Sequence, residues 1–233
     1  MRVSVQKENF MSRIDFKAPV PLAPPIVSIA DPTDGLLKTT DLSTPIPVDV
    51  MVWLAAEPGY YFQLMLNGEL IGDKRVITEE DNPYEMITVY LDEKTLTENG
   101  SYRLGYMASS PEADSHVPSP EMTVRVDRSR PGAALLAPMI FPNASFSDRL
   151  TGLIPGYAGM EQGDVIQTLC NGTPGPAHTV QADELTLRPI EIDFERKVMQ
   201  SLAAENVSFE YLVTDRAGNP SIMSLPVLLS IKL

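Results

Sequence analysis

Gly59-Tyr-Tyr-Phe-Gln63-Leu-Met-Leu-Asn67-Gly68 alternates its side chains along a run of seven and then stops on Asn-Gly. Phe62, Leu64 and Leu66 fall on one side of an extended chain. Asn67 and Gly68 are the residue types that accept the positive φ values of a two-residue hairpin turn. The pattern returns 104 positions later as Gly163-Asp-Val-Ile-Gln167-Thr-Leu-Cys-Asn171-Gly172. A repeated strand-and-turn signal indicates that the chain is built from copies of one unit.

Three further matches keep the same order. Asn99-Gly-Ser101-Tyr102-Arg-Leu104 corresponds to Asn206-Val-Ser208-Phe209-Glu-Tyr211, an offset of 107. Ser119-Pro-Glu-Met-Thr-Val-Arg-Val126 corresponds to Ser224-Leu-Pro-Val-Leu-Leu-Ser-Ile231, an offset of 105, and Leu22-Ala-Pro24-Pro-Ile26 to Leu136-Ala-Pro138-Met-Ile140, an offset of 114. The drift places about ten extra residues in the first unit, between its opening strand and the Gln63 strand. The predicted organisation is a Pro-rich arm over 1–23, module 1 over 24–127 and module 2 over 133–233. Arg13-Ile14-Asp15 stands before Leu22-Ala-Pro24 as Arg125-Val126-Asp127 stands before Leu136-Ala-Pro138. The arm therefore reads either as the trace of a preceding module of a longer array or as a short Pro-rich extension.

Strand periodicity extends through both units. Val48, Val50, Val52 and Leu54 share one side, as do Ile87, Val89 and Leu91, and Tyr102, Leu104 and Tyr106. In module 2, Ile190, Ile192 and Phe194 form one such face, and Phe209, Tyr211 and Val213 another. Short strands spaced by Gly, Pro and Asn predict an all-β fold of two tandem β-sandwiches. The 233 residues include 21 prolines, about 9% against a usual ~5%. This excess argues against a helical protein and suits loops and strand edges.

Ser208-Phe-Glu-Tyr-Leu-Val-Thr-Asp215-Arg-Ala-Gly218-Asn219-Pro-Ser221 resembles the penultimate strand and turn of bacterial immunoglobulin-like repeats, which are similar to fibronectin type III modules. Module 1 departs from this turn, with Ala108-Ser-Ser-Pro-Glu-Ala-Asp-Ser-His116 in its place. The resemblance implies a spacer, adhesion or recognition module of a secreted or cell-surface bacterial protein. An accessory or targeting component of a secreted toxin or enzyme is the alternative it leaves open.

Charge narrows the partners. With 31 acids against 18 bases the formal charge is -13, and residues 1–127 carry 20 acids against 10 bases. A phosphate-binding surface needs the opposite balance, so nucleic acid is excluded as a partner. No run reaches the ~18 apolar residues of a membrane span. Met1–Phe10 lacks the apolar core of a secretory leader, which leaves the export route open. The solitary Cys170 offers no disulfide framework or thiolate cluster and aligns with the inward Leu66.

Chemistry finds little purchase. His116 and His178 stand apart in loop-like surroundings, and the nucleophile elbow, the P-loop and the dinucleotide-binding glycine pattern are all missing. The chain is therefore expected to be non-catalytic and without a cofactor. Calcium is the one metal with candidates, namely Asp31, Asp34, Glu80, Asp81 and Asp127, although none forms a calcium-loop motif. Binding remains. Trp53, Tyr61, Met65, Tyr90 and Met107 are predicted to point outward from module 1, where polar residues are expected. Met51 and Met86 are predicted to do the same. They form either a recognition surface for a protein or glycan, or a face covered by the arm, by module 2 or by a neighbouring module.

Overall fold

The computed structural model describes residues 21–110, 115–143, 149–202 and 204–231. Residues 1–20 of the predicted arm, and 111–114 of the stretch that replaces the Asp215 turn, lie outside the described residues. The first half forms β1 (Ile46–Met51), β2 (Tyr61–Leu66), β3 (Glu69–Val76), β4 (Met86–Leu91), β5 (Gly100–Ser110), β6 (Ser115–Pro118) and β7 (Met122–Val126). The second half forms β8 (Arg149–Ile154), β9 (Val165–Cys170), β10 (Thr173–Thr179), β11 (Ile190–Glu195), β12 (Asn206–Thr214) and β13 (Val227–Ser230), with a six-residue helix after β11.

Each half packs a small sheet on a larger one. In module 1, β1 pairs with β4, and β3-β2-β5-β6 form the second sheet, with β7 also on β5. In module 2, β8 pairs with β11 opposite β10-β9-β12-β13. The opening segment of each module bridges its small sheet, at Ile26 with Asp49 and at Ile140 with Leu153. This is the antiparallel sandwich of immunoglobulin-like and fibronectin type III-like domains. One apolar core gathers residues from Val27 to Val126, and a second gathers residues from Leu136 to Ile231.

The cores follow from the period-two faces. Phe62, Leu104 and Tyr106 are buried in module 1, and Phe194, Phe209 and Tyr211 in module 2. Burying each such side chain contributes roughly 1.5–3 kcal/mol. Phe62 meets Tyr106 edge-on at 5.7 Å, and Phe209 lies 5.1 Å from Phe194 and 4.7 Å from Phe141. Cys170 is buried among them, which pushes its thiol up to about 11 and removes it from thiolate chemistry.

The two modules also repeat their polar fastenings. The Tyr106 hydroxyl donates to the Ala23 carbonyl at 3.0 Å, and the Tyr211 hydroxyl to the Ala137 carbonyl at 2.8 Å. Ser119 Oγ accepts from the Tyr106 amide, as Ser224 Oγ does from the Tyr211 amide. Asn67 and Asn171, both at positive φ, begin their hairpins and accept from the amides of Arg103 and Ser208. The positive φ of Gly68 and Gly172 completes each turn.

Two positions depart from the sequence reading. The first strand ends at Met51, so Val52 is buried but Leu54 is turned out to 48% exposure. Met65 was predicted to face outward and is buried, because its methyl lies in the hollow above Gly105. In module 1, β5 continues to Ser110 and pairs with β6, a longer hairpin than the tight Asp215–Asn219 turn of module 2.

Candidate functional site

The ten additional residues of module 1 have a specific place. Twenty-three positions separate the bridge partners Ile26 and Asp49, against thirteen between Ile140 and Leu153. Within that longer stretch Asp31 and Asp34 form a tight turn: the Asp31 carboxylate accepts from the Thr33 amide and that of Asp34 from the Leu36 amide. Gly35 holds φ +75° where a Cβ would stand 2.1 Å from the Thr123 carbonyl oxygen, so only glycine fits.

This turn receives module 2. The Asp215-Arg-Ala-Gly-Asn219 segment curls at Gly218, φ +92°, while the Asp215 carboxylate accepts from the amide and the side chain of Asn219. The curl projects Arg216 into module 1, where its guanidinium donates to Asp31 at 2.9 Å and to Asp34 at 2.9 and 3.1 Å. Gly163 lacks the side chain that would collide with the Arg216 stem at 2.9 Å. From the other side, Arg125 donates to Asp34 at 2.9 Å and to Glu161 of module 2 at 2.6 Å. Glu161 is steadied by Asp164, a fully buried carboxylate that accepts from the Tyr157 hydroxyl and the Glu161 amide.

Backbone contacts close the joint. The Thr39 amide and the Lys38 ammonium donate to the Ala217 and Arg216 carbonyls, and the Asn219 side chain donates to the Asp127 carbonyl. Asn99 accepts from the Arg128 amide and donates to Ser129, tying the linker back to module 1. The hydrogen bonds from Arg216, and then from Arg125, hold the Asp34 carboxyl down at about 2. Burial pushes Asp164 the other way.

Four of the calcium candidates have hydrogen-bond partners of their own. Asp31 and Asp34 face guanidinium groups, Asp127 accepts from the Ser129 amide, and Asp81 takes a two-point contact from Arg75. Glu80 is exposed. Among the described residues, no three acidic, histidine or cysteine side chains converge as a metal cluster. The cationic place at the junction is filled by Arg125 and Arg216. His116 lies 2.8 Å from Ser109, which is buried, and His178 lies 2.8 Å from Glu184. Neither presents an exposed nucleophile beside a base.

The five predicted binding residues separate into different environments. Trp53 is half-buried and packs on the module 1 core. Tyr61 is half-buried on β2 with the Lys74 ammonium 4.4 Å from its ring centre. Met107 is half-buried on β5 in the same sheet, and Met65 is buried. Tyr90 on β4 is 67% exposed, in the other sheet.

Around Tyr90 the small sheet of module 1 has an apolar outer face. Met86 pairs with Met51 and Tyr90 with Pro47, while Thr88 opposes Asp49 and donates to it at 2.6 Å. Ile26 extends the row past Asp49 and is exposed, as are Met86 and Tyr90. The corresponding face of module 2 is charged: Glu191, Asp193 and Glu195 point outward from β11, and Asp193 accepts from Arg149 and Thr151. Met86 and Ile26 complete the surface that Tyr90 alone marked among the five candidates. The signal for Met86 was present in the period-two pattern of Ile87, Val89 and Leu91, which turns its alternate residues outward.

No family model and no curated protein matches the chain. Among solved structures it is similar to one of a 1.5-MDa bacterial ice-binding adhesin, a study of host cell surface retention, at 18% identity and a TM-score of 0.48. That match covers 88% of this chain and 63% of the adhesin chain. Clostridium thermocellum CbhA fibronectin(III)-like modules match at 15% identity and a TM-score of 0.43, covering 90% and 93%. Chicken CNTN1 FN1-FN3 domains match at 10% identity and 0.46, covering 91% and 68%.

Proposed function

We propose that the chain is a non-catalytic binding and spacing element of a larger secreted or cell-surface bacterial protein. Module 2 sets the geometry through the Arg216 junction, and module 1 meets a protein or glycan partner with its β1–β4 face. The observation that carries this reading is the contrast between two equivalent strands. β4 exposes Met86, Thr88 and Tyr90 where β11 exposes Glu191, Asp193 and Glu195. Aromatic and Met side chains concentrate at recognition surfaces, and acidic residues are depleted there. The ion-paired junction supports a fixed spacing between that face and whatever follows module 2.

The test is binding of the purified chain to glycan and peptide arrays beside a Met86→Ala/Tyr90→Ala variant. Reproducible binding that is lost in the variant, at an unchanged melting temperature, supports recognition. Equal binding by both proteins would place recognition on another surface, and no binding by either would leave only the spacing role.

A further inference from the structure

The hydrogen-bond pattern of the small sheet identifies which backbone groups of β4 are free. Asp49 exchanges both of its backbone bonds with Ile26, at 2.9 and 2.8 Å, so its amide and carbonyl point away from β4. In an antiparallel ladder the opposite residue, Thr88, then points its own amide and carbonyl away from β1. The same alternation applies to Met86, opposite Met51, and to Tyr90, opposite Pro47, which has no amide hydrogen to give. Among the described residues no strand pairs with that edge.

Edge strands in folded proteins are usually blunted by charge. β11 carries three acids on its outer face, and β3, the facing edge of the other module 1 sheet, carries Asp73, Lys74 and Arg75. β4 has the sequence Met-Ile-Thr-Val-Tyr-Leu and no charged residue at all. Between β4 and β3 runs a groove of about 550 Å³ whose lining includes Ile71, Asp73, Arg75, Thr88, Tyr90 and Asp92. Arg75 is neutralised there by Asp81 at 2.8 Å. Asp73 and Asp92 in the groove, and Asp49 beside Thr88, have no ion-pair partner among the described residues. Lys74 also lines the groove but turns its ammonium over the Tyr61 ring, so three carboxylates face one ammonium and the unbalanced charge along this edge is negative.

We propose that the free edge of β4 accepts an extended, basic peptide strand from a partner protein, an inference that rests on reading the β1–β4 face as a recognition surface. The added strand would exchange backbone hydrogen bonds with Met86, Thr88 and Tyr90. Its alternate side chains would lie over Tyr90 and Met86 on one face and beside Asp73 and Asp92 on the other. Lys or Arg at the groove-facing positions meets the two carboxylates.

The test uses the full chain and three blocked heptapeptides, Lys-Val-Lys-Val-Lys-Val-Lys and its Glu and Ser counterparts, followed by titration and amide hydrogen exchange in NMR. Expected is binding of the Lys peptide at least tenfold tighter than the Glu peptide, weakening with salt, with slowed exchange at Met86, Thr88 and Tyr90. Thr88→Pro removes the central edge amide at a position where proline suits an edge strand, and should abolish that protection. Asp73→Asn/Asp92→Asn, which leaves the backbone untouched, should erase the Lys preference. Three results overturn the proposal: equal binding of Lys and Glu peptides, protection confined to other amides, or edge amides already protected without peptide. The last would place another segment of the chain there, and residues 1–20 carry four bases against two acids. An array ligand lost in Met86→Ala/Tyr90→Ala but retained in Thr88→Pro would refute strand addition while leaving the recognition face intact.

Discussion

β4 and β11 occupy the same place in two sandwiches and share an inward face, yet their outward faces are opposites. Inward, β4 supplies Ile87, Val89 and Leu91 and β11 supplies Ile190, Ile192 and Phe194 to their cores. Outward, one strand shows Met, Thr and Tyr, and the other three acids. Both keep one device, a Thr hydroxyl donating to an Asp across the strand pair, with the two residues exchanged between strands. The fold requires only the inward set. The outward set is free to differ, and a difference there reports on what each module meets.

The junction shows a matching division. Module 2 uses the turn after its penultimate strand to grip module 1, and the ten extra residues of module 1 carry the Asp31–Asp34 turn that receives it. Module 1 has a longer hairpin at the equivalent turn, so the two modules share a strand plan but are not interchangeable at their ends.

The largest expected effect tests the shared inward face. Phe194→Ala should cost about 3–5 kcal/mol and Leu91→Ala about 2–5 kcal/mol in denaturant unfolding, because each leaves a cavity in a closed core. Much smaller losses in one module would show that its core is loosely packed and that the strands are not equivalent.

A smaller loss is expected at the junction. Arg216→Ala should destabilise by about 1–2 kcal/mol, less than for a deeply buried ion pair, because its network stays partly open to solvent. It should also loosen the modules, visible as a lower ratio of overall to internal order in NMR relaxation. The pH dependence has a definite sign. The carboxyl of Asp34 lies at about 2 when folded against an ordinary 3.8, so its stabilisation is complete above about 4 and is lost as pH falls toward 2. Scattering profiles from pH 7 to 2 should therefore show a constant inter-module distance down to about 4 and spreading below it. Spreading already at pH 6 would mean that another group controls the joint.

The smallest stability effect is on the charged outer face. Glu191→Met/Glu195→Tyr should change unfolding free energy by no more than about 0.5 kcal/mol, since both side chains are exposed. Its consequence should be self-association, measured by sedimentation, because the module 2 edge then keeps only Asp193, which Arg149 neutralises.

Much of this was legible in the sequence, and the rest was hidden for physical reasons. β2, β5, β11 and β12 were readable because strict alternation and Asn-Gly turns leave local marks. β8 leaves no full alternation in the sequence, because its central inward position is Gly152, whose missing side chain is replaced from afar by Met139. Met65 breaks the alternation of β2 for a related reason, the hollow over Gly105. The Arg216 grip joins residues about 180 positions apart, so the Asp215–Asn219 motif was recognisable as a turn but not as a docking element. Of the five binding candidates, alternation alone could not separate exposed Tyr90 from half-buried Trp53, Tyr61 and Met107, because exposure depends on what covers a face.

The most direct measurement is an exchange of outward faces, followed by NMR titration with the Lys-Val heptapeptide. One chain carries Met86→Glu/Thr88→Asp/Tyr90→Glu in module 1, and the other carries Glu191→Met/Asp193→Thr/Glu195→Tyr in module 2. Binding should disappear in the first chain at an unchanged fold and persist at β4 in the second. Binding that survives the module 1 exchange, or that vanishes with the module 2 exchange, would contradict the assignment of recognition to the β1–β4 face.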